Sequence, residues 1–171
     1  VKSPFRRLAA VAILSSALLA SSAQAAIINL TATIDGAQAN SGLGTGSTGT
    51  GSAAVTYDNV SNLLSWSITW SGLTGTETVS HFHGPAAPGV NAGVQVGFPA
   101  SSPAIGSATI SDLQAADLLN ELWYINIHTT QNPGGEIRGQ VTVVPEPAVT
   151  AFAGALAAVG TVVVLRRRRS A

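Results

Sequence analysis

The chain has 171 residues with 9% charged and 5% aromatic side chains, and it is rich in Gly, Ser, Thr and Ala, a composition that excludes a charged helical bundle and a highly charged disordered chain. Its formal net charge of zero conceals segregation: residues 26–144 carry seven acidic residues against Arg138 alone, a net charge of −6, which argues against nucleic acid as a partner. Cysteine is absent, so disulfides, thiolate metal sites and cysteine nucleophiles are excluded.

In chain order, the first segment is an address. Lys2, Arg6 and Arg7 precede an apolar run from Leu8 to Ala20 and the small residues Ser21-Ser22-Ala23-Gln24-Ala25. A basic start, an apolar core too short to span a bilayer and a small-x-small site form the pattern of a secretory signal peptide. Ala23 and Ala25 are its expected recognition positions, residues 1–25 its extent, and the secretion machinery and signal peptidase its partners.

From Ile27 to Ile34, Ile28, Leu30, Ala32 and Ile34 alternate with polar residues, predicting a half-buried strand. Gly36 to Ser52 reads as a mobile Gly/Ser/Thr-rich loop without a phosphate-binding motif, and Ala53 to Tyr57 as a short strand. Leu64, Trp66, Ile68 and Trp70 alternate with Ser65, Ser67 and Thr69, which places both tryptophans in a core. Thr76 to His83 and Gly93 to Phe98 are further strands. Ser111 and Gln114 fit a capping box opening a short helix to about Glu121, with Leu113, Ala116, Leu118 and Leu119 available for packing. Leu122 to His128 and Glu136 to Val144 then flank the turn residues Asn132-Pro133-Gly134-Gly135. Together these segments predict an all-β domain over residues 26–144, an antiparallel Greek-key-type β-sandwich with one short helix. An N-terminal signal helix and a C-terminal transmembrane helix are expected to flank it.

Alternation also sorts polar side chains. With Phe82 inward, His81 and His83 share the opposite strand face. With Trp123, Ile125 and Ile127 inward, Tyr124, Asn126 and His128 point outward; in the next strand Glu136, Arg138, Gln140 and Thr142 do the same. If the last two strands form a hairpin with His128 across from Glu136, Asn126 faces Arg138 and Tyr124 faces Gln140. All three histidines of the chain then fall on polar faces near Glu136 and Arg138. Three imidazoles suit a single copper or zinc ion. The competing expectation is structural: histidines bonded to loop carbonyls, and a Glu136–Arg138 pair tying the hairpin. No catalytic residues emerge, and no cofactor is required beyond that one optional ion.

The tail, residues 145–171, is a second address. Pro145-Glu146-Pro147 is followed by eighteen uncharged residues, Ala148 to Leu165, and then by Arg166, Arg167, Arg168 and Arg169. As a helix the eighteen residues span ~27 Å, enough for a bilayer core, and the arginines would remain cytoplasmic.

Blocks within the middle segment resemble the CHRD (chordin-like) domain: Trp70-Ser71-Gly72-Leu73, His81-Phe82-His83-Gly84-Pro85-Ala86, Trp123 to Thr129, and Asn132 to Gln140. The resemblance spans roughly residues 27 to 144 and implies a secreted β-domain without a settled activity. His81-Phe82-His83 also resembles the copper-binding strand of Cu/Zn superoxide dismutases, but three histidines are too few for that dinuclear site. The tail resembles the bacterial PEP-CTERM sorting signal, which implies an exosortase-type membrane peptidase as partner. It also implies transient inner-membrane anchoring through the C-terminal helix, then release to the cell surface or exterior. The reading that leads is an exported, non-enzymatic domain with a structural or adhesive role in matrix or envelope, facing an extracellular polymer or protein ligand. A mononuclear copper or zinc protein using His81, His83 and His128 is the alternative.

Overall fold

The computed structural model describes residues 26–145. The segment read as a signal peptide, with Ala23 and Ala25, and the part of the expected sorting tail beyond Pro145, with Glu146, Pro147 and Arg166 to Arg169, lie outside the described residues.

Among the described residues, nine strands and one α-helix follow in the order β1 (Ile27–Asp35), β2 (Thr50–Asp58), β3 (Leu63–Ser71), β4 (Glu77–His83), β5 (Val94–Phe98), β6 (Ala104–Thr109), α1 (Asp112–Leu119), β7 (Tyr124–Thr129), β8 (Ile137–Gln140) and β9 (Thr142–Val143), with a single 3-10 turn at Asn40–Gly42 after β1. Every pairing is antiparallel. The all-β class and the single helix match the expectation. The two-layer sandwich does not: the strands form one continuous sheet, ordered β5-β4-β7-β8-β1-β2-β3-β6, with β9 added beside β1. Its terminal strands β5 and β6 come back into contact, so the sheet curls into a nearly closed barrel with one interior.

That interior is what the alternation requires. Leu30, Ala32 and Ile34 of β1, Ala53, Val55 and Tyr57 of β2, and Leu64, Trp66, Ile68 and Trp70 of β3 are all buried in the same core. From the other side come Phe82, Ile125, Ile127, Ile137 and Val141, with Trp123 ahead of β7 fully enclosed. Phe82 is the hub of an aromatic cluster, 5.4 Å from Trp66, 5.3 Å from Phe98 and 6.1 Å from Trp123 between ring centres. Edge-to-face pairs of this kind add about 0.5–1.5 kcal/mol each beyond the area they bury.

The capping box forms as expected: Ser111 Oγ accepts from the Gln114 amide at 3.2 Å, and Gln114 Oε1 accepts from the Ser111 amide at 2.9 Å. The helix ends at Leu119 and packs through Ala115 and Leu118, whereas Leu113 and Ala116 face solvent. Strand β6 was not expected. Its Ala104-Ile105-Gly106-Ser107-Ala108-Thr109 carries small residues on the inner side, because the Trp66 ring occupies the space a side chain at Gly106 would fill. Strand β2 begins at Thr50, inside the segment read as loop. The last segment divides into β8 and β9: β8 lies between β7 and β1 and pairs with both, whereas β9 pairs only with β1.

Candidate metal centre

The histidine face is built by the adjacent strands β4 and β7. Their register sets His81 against Asn126, His83 against Tyr124 and Val79 against His128. Side chains two residues apart share a face, so His81 and His83 stand side by side with His128 one step along the neighbouring strand. One ring nitrogen from each lies within 4.8 Å of the others. Ring centres are 5.4 Å apart for His81–His83 and His81–His128, and 5.7 Å for His83–His128. The far side of His81 is open because its cross-strand neighbour on β5 is Gly97; a Cβ there would come 3.6 Å from His81 Cδ2.

The hairpin register follows the expectation, with Asn126 opposite Arg138 and Tyr124 opposite Gln140. The polar face it creates is not open to solvent, however. Tyr124, Asn126 and Arg138 are buried, and His83 is only 8% exposed. The cover is the segment after β4: Arg138 donates to the Val90 carbonyl at 2.9 Å and to Asn91 Oδ1 at 3.3 Å, and the Ala92 amide donates to the Tyr124 hydroxyl at 3.0 Å. The Tyr124 ring stacks on His83, with centres 5.0 Å apart and planes 7° apart, and carries the Arg138 guanidinium 3.4 Å from its own centre.

Hydrogen bonds fix which nitrogens face inward. His83 Nδ1 lies 3.0 Å from the Ala92 carbonyl and His128 Nδ1 lies 2.8 Å from the Pro133 carbonyl. A carbonyl only accepts, so each Nδ1 carries the proton and each Nε2 keeps a lone pair. His83 Nε2 and His81 Nδ1 are buried without a hydrogen-bond partner. Buried polar atoms are nearly always paired, so two orphaned nitrogens in one cluster point to a missing partner. Outer hydrogen bonds from imidazole to backbone carbonyls are the usual means of orienting metal-binding histidines. Burial lowers the pKa of His81, with His128 adding to the effect. Burial also lowers that of His83, reinforced by His128, His81 and Arg138 against the opposing Ala92 carbonyl. Both shifts favour the neutral ring, the state a metal requires. Two nitrogens bound to one ion at ~2.1 Å lie at most ~4.2 Å apart, so small side-chain movements would close the site.

The expected Glu136–Arg138 pair gives way to two separate networks. Glu136 is fully buried at the opposite end of the turn, where Oε1 accepts from Ser47 Oγ and the Thr74 amide, both at 2.6 Å. Its Oε2 accepts from Thr129 Oγ1 at 2.7 Å and the Gly75 amide at 3.2 Å. Burial alone would raise its pKa, but the bonds from Ser47, Thr74, Thr129 and Gly75 outweigh that and hold it at about 2. Arg138 takes only neutral partners. The roles of Ala92 and Pro133 left no trace in residue type, because both act through the backbone.

Asn126 is the remaining member of the face. Its Nδ2 donates to the Gly134 carbonyl at 3.1 Å and to His128 Nε2 at 3.3 Å, a contact that an ion bound at His128 Nε2 would displace. Its amide fits only because Gly135, at φ +118°, has no side chain: a Cβ would sit 2.5 Å from Asn126 Cγ.

Comparison with curated proteins and with solved structures gives no match. The CHRD domain family matches residues 30–141, from the third residue after the start of β1 to the residue between β8 and β9, and so includes all three histidines, Asn126, Glu136 and Arg138. That match spans well over half of the sequence, and with the barrel and its histidine face inside it, the chain belongs to the CHRD domain family.

Proposed function

We propose that this chain is an exported CHRD domain that holds one copper or zinc ion between His81, His83 and His128. The carrying observation is the pair of orphaned buried nitrogens, His81 Nδ1 and His83 Nε2, in a three-histidine cluster where the Nδ1 atoms of His83 and His128 are bonded to the Ala92 and Pro133 carbonyls. A purely structural role for the histidines accounts for the two carbonyl bonds and leaves His81 Nδ1 and His83 Nε2 unexplained. Membership of the CHRD family supports a non-enzymatic domain of extracellular type. The N-terminal segment and the Pro145-Glu146-Pro147 tail support export and exosortase-type sorting to the cell surface. A structural or adhesive task in matrix or envelope is compatible with a bound ion, which would then be a fixed feature of the displayed face.

The test is metal content and calorimetry on the purified full chain. One copper or zinc ion per chain is expected, with uptake abolished in His83→Ala while the far-ultraviolet spectrum stays β-type. Failure of the wild-type chain to take up either ion leaves the structural role alone.

A further inference from the structure

Arg138 is the only lysine or arginine among the described residues, it is 2% exposed, and it has no carboxylate partner. An unpaired buried cation is costly, so its position calls for a reason. Strand order puts Tyr124 on β7 between His83 on β4 and Arg138 on β8. The separations of 3.4 Å and 5.0 Å across Tyr124 place the guanidinium carbon within about 8 Å of the His83 ring centre.

Resting on the metal-binding reading above, we propose that Arg138 selects the charge of the ion, making the three-histidine site one for monovalent copper rather than for divalent copper or zinc. The donor group is three imidazoles with no carboxylate or thiolate, so it neutralises none of the charge of the ion. The group reaching the cluster from between the histidines is the Asn126 amide nitrogen, held in that orientation by the Gly134 carbonyl. Its N–H therefore presents the positive end of a dipole. Arg138 adds a full positive charge behind Tyr124, in surroundings that exclude water. At ~10 Å and an effective dielectric constant of ~20, each extra positive charge on the ion is disfavoured roughly tenfold. Imidazole is a good ligand for copper, and three donors satisfy the monovalent ion, whereas zinc needs a fourth.

The experiment uses the full chain in detergent. Monovalent copper is titrated anaerobically against a colorimetric chelator, and divalent copper and zinc are each titrated alone. Monovalent copper should bind more tightly than zinc. Arg138→Met, which keeps an apolar stem on Tyr124, should reduce the preference for monovalent over divalent copper about tenfold, equivalent to a fall of about 59 mV in midpoint potential. Arg138→Lys should retain most of it. Wild-type chain that binds zinc as tightly as monovalent copper overturns the proposal without recourse to any variant. An unchanged copper preference in folded Arg138→Met does the same and leaves Arg138 a packing residue. Absence of any ion uptake instead removes the metal-binding reading on which the proposal rests.

Discussion

Replacing Glu136 with glutamine tests whether this carboxylate locks the barrel end. Four donors converge on it, two from side chains (Ser47, Thr129) and two from the backbone of Thr74 and Gly75. An ionised carboxylate accepts all four; an amide must turn an N–H toward at least one of them. Leaving buried donors unpaired costs about 1–3 kcal/mol, and losing charge-assisted bonds adds to that. The lowered pKa that these same bonds produce leads to a figure of similar size. Held at about 2 instead of 4.5, the carboxylate contributes up to about 3 kcal/mol to stability. Because the folded value is the lower one, that contribution is complete above pH ~4.5 and is lost as pH falls toward ~2. Urea denaturation at pH 7 should therefore show Glu136→Gln about 2–4 kcal/mol less stable than wild type, with the gap narrowing steadily in acid. A gap below ~0.5 kcal/mol, or one of constant size from pH 7 to pH 2.5, would refute the convergent-donor argument.

Four further outcomes are expected. Gly135→Ala should cost about 2–4 kcal/mol in the same denaturation assay, since it combines a left-handed backbone with overlap on the Asn126 amide; wild-type stability would show that the turn yields freely. Metal affinity, followed by calorimetry between pH 8 and 5, should hold until below ~6.5 and then fall, because the lowered pKa values of His81 and His83 delay protonation. The metal-free domain should lose stability over the same descent, since both histidines are harder to protonate folded than unfolded, and a flat profile would contradict their burial. Changing Arg166 to Arg169 into neutral residues should impair membrane retention and tail processing, as judged by cell fractionation; unchanged processing counts against the sorting-tail reading.

Period-two patterns made strands β1, β3, β4 and β7 legible, because each has one face against the core and large apolar residues to mark it. The hairpin itself was legible from the turn at 132–135, but a seven-residue connection leaves its register open by a residue or two, and the structure selects the one that sets Asn126 against Arg138. What escaped depends on partners distant in sequence. Strand β6 is hidden by small residues whose size is dictated by Trp66. The outward face of β7 looks solvated in sequence, yet residues 90–92 cover it, and nothing in a single strand announces a loop that will fold over it. Glu136 and Arg138, two residues apart on one face, suggest a pair by their opposite charges. Instead Glu136 meets a ring of backbone and hydroxyl donors, of which Ser47, Thr74 and Gly75 come from some sixty to ninety residues away in sequence and only Thr129 from its own hairpin. Leu113 shows the reverse error: an apolar residue in a helix need not be on its buried side.

Strands β5 and β6 are neighbours in sequence, joined by residues 99–103, but they bond to opposite ends of the sheet instead of to each other. Pro99 and Pro103 stand at the two ends of the connection, where neither can donate a backbone hydrogen bond to continue a ladder. Ser102 serves as a substitute rung: its hydroxyl accepts from the Trp70 amide at 2.8 Å and donates to the Trp70 carbonyl at 2.7 Å, completing β3 just before β6 begins. Flat sheets grow by recruiting strands from other molecules along such borders. Here each border is short, finished by a serine or a proline, and turned toward the other. Copies of this domain can crowd together with little opportunity for strand exchange or fibre growth along the sheet.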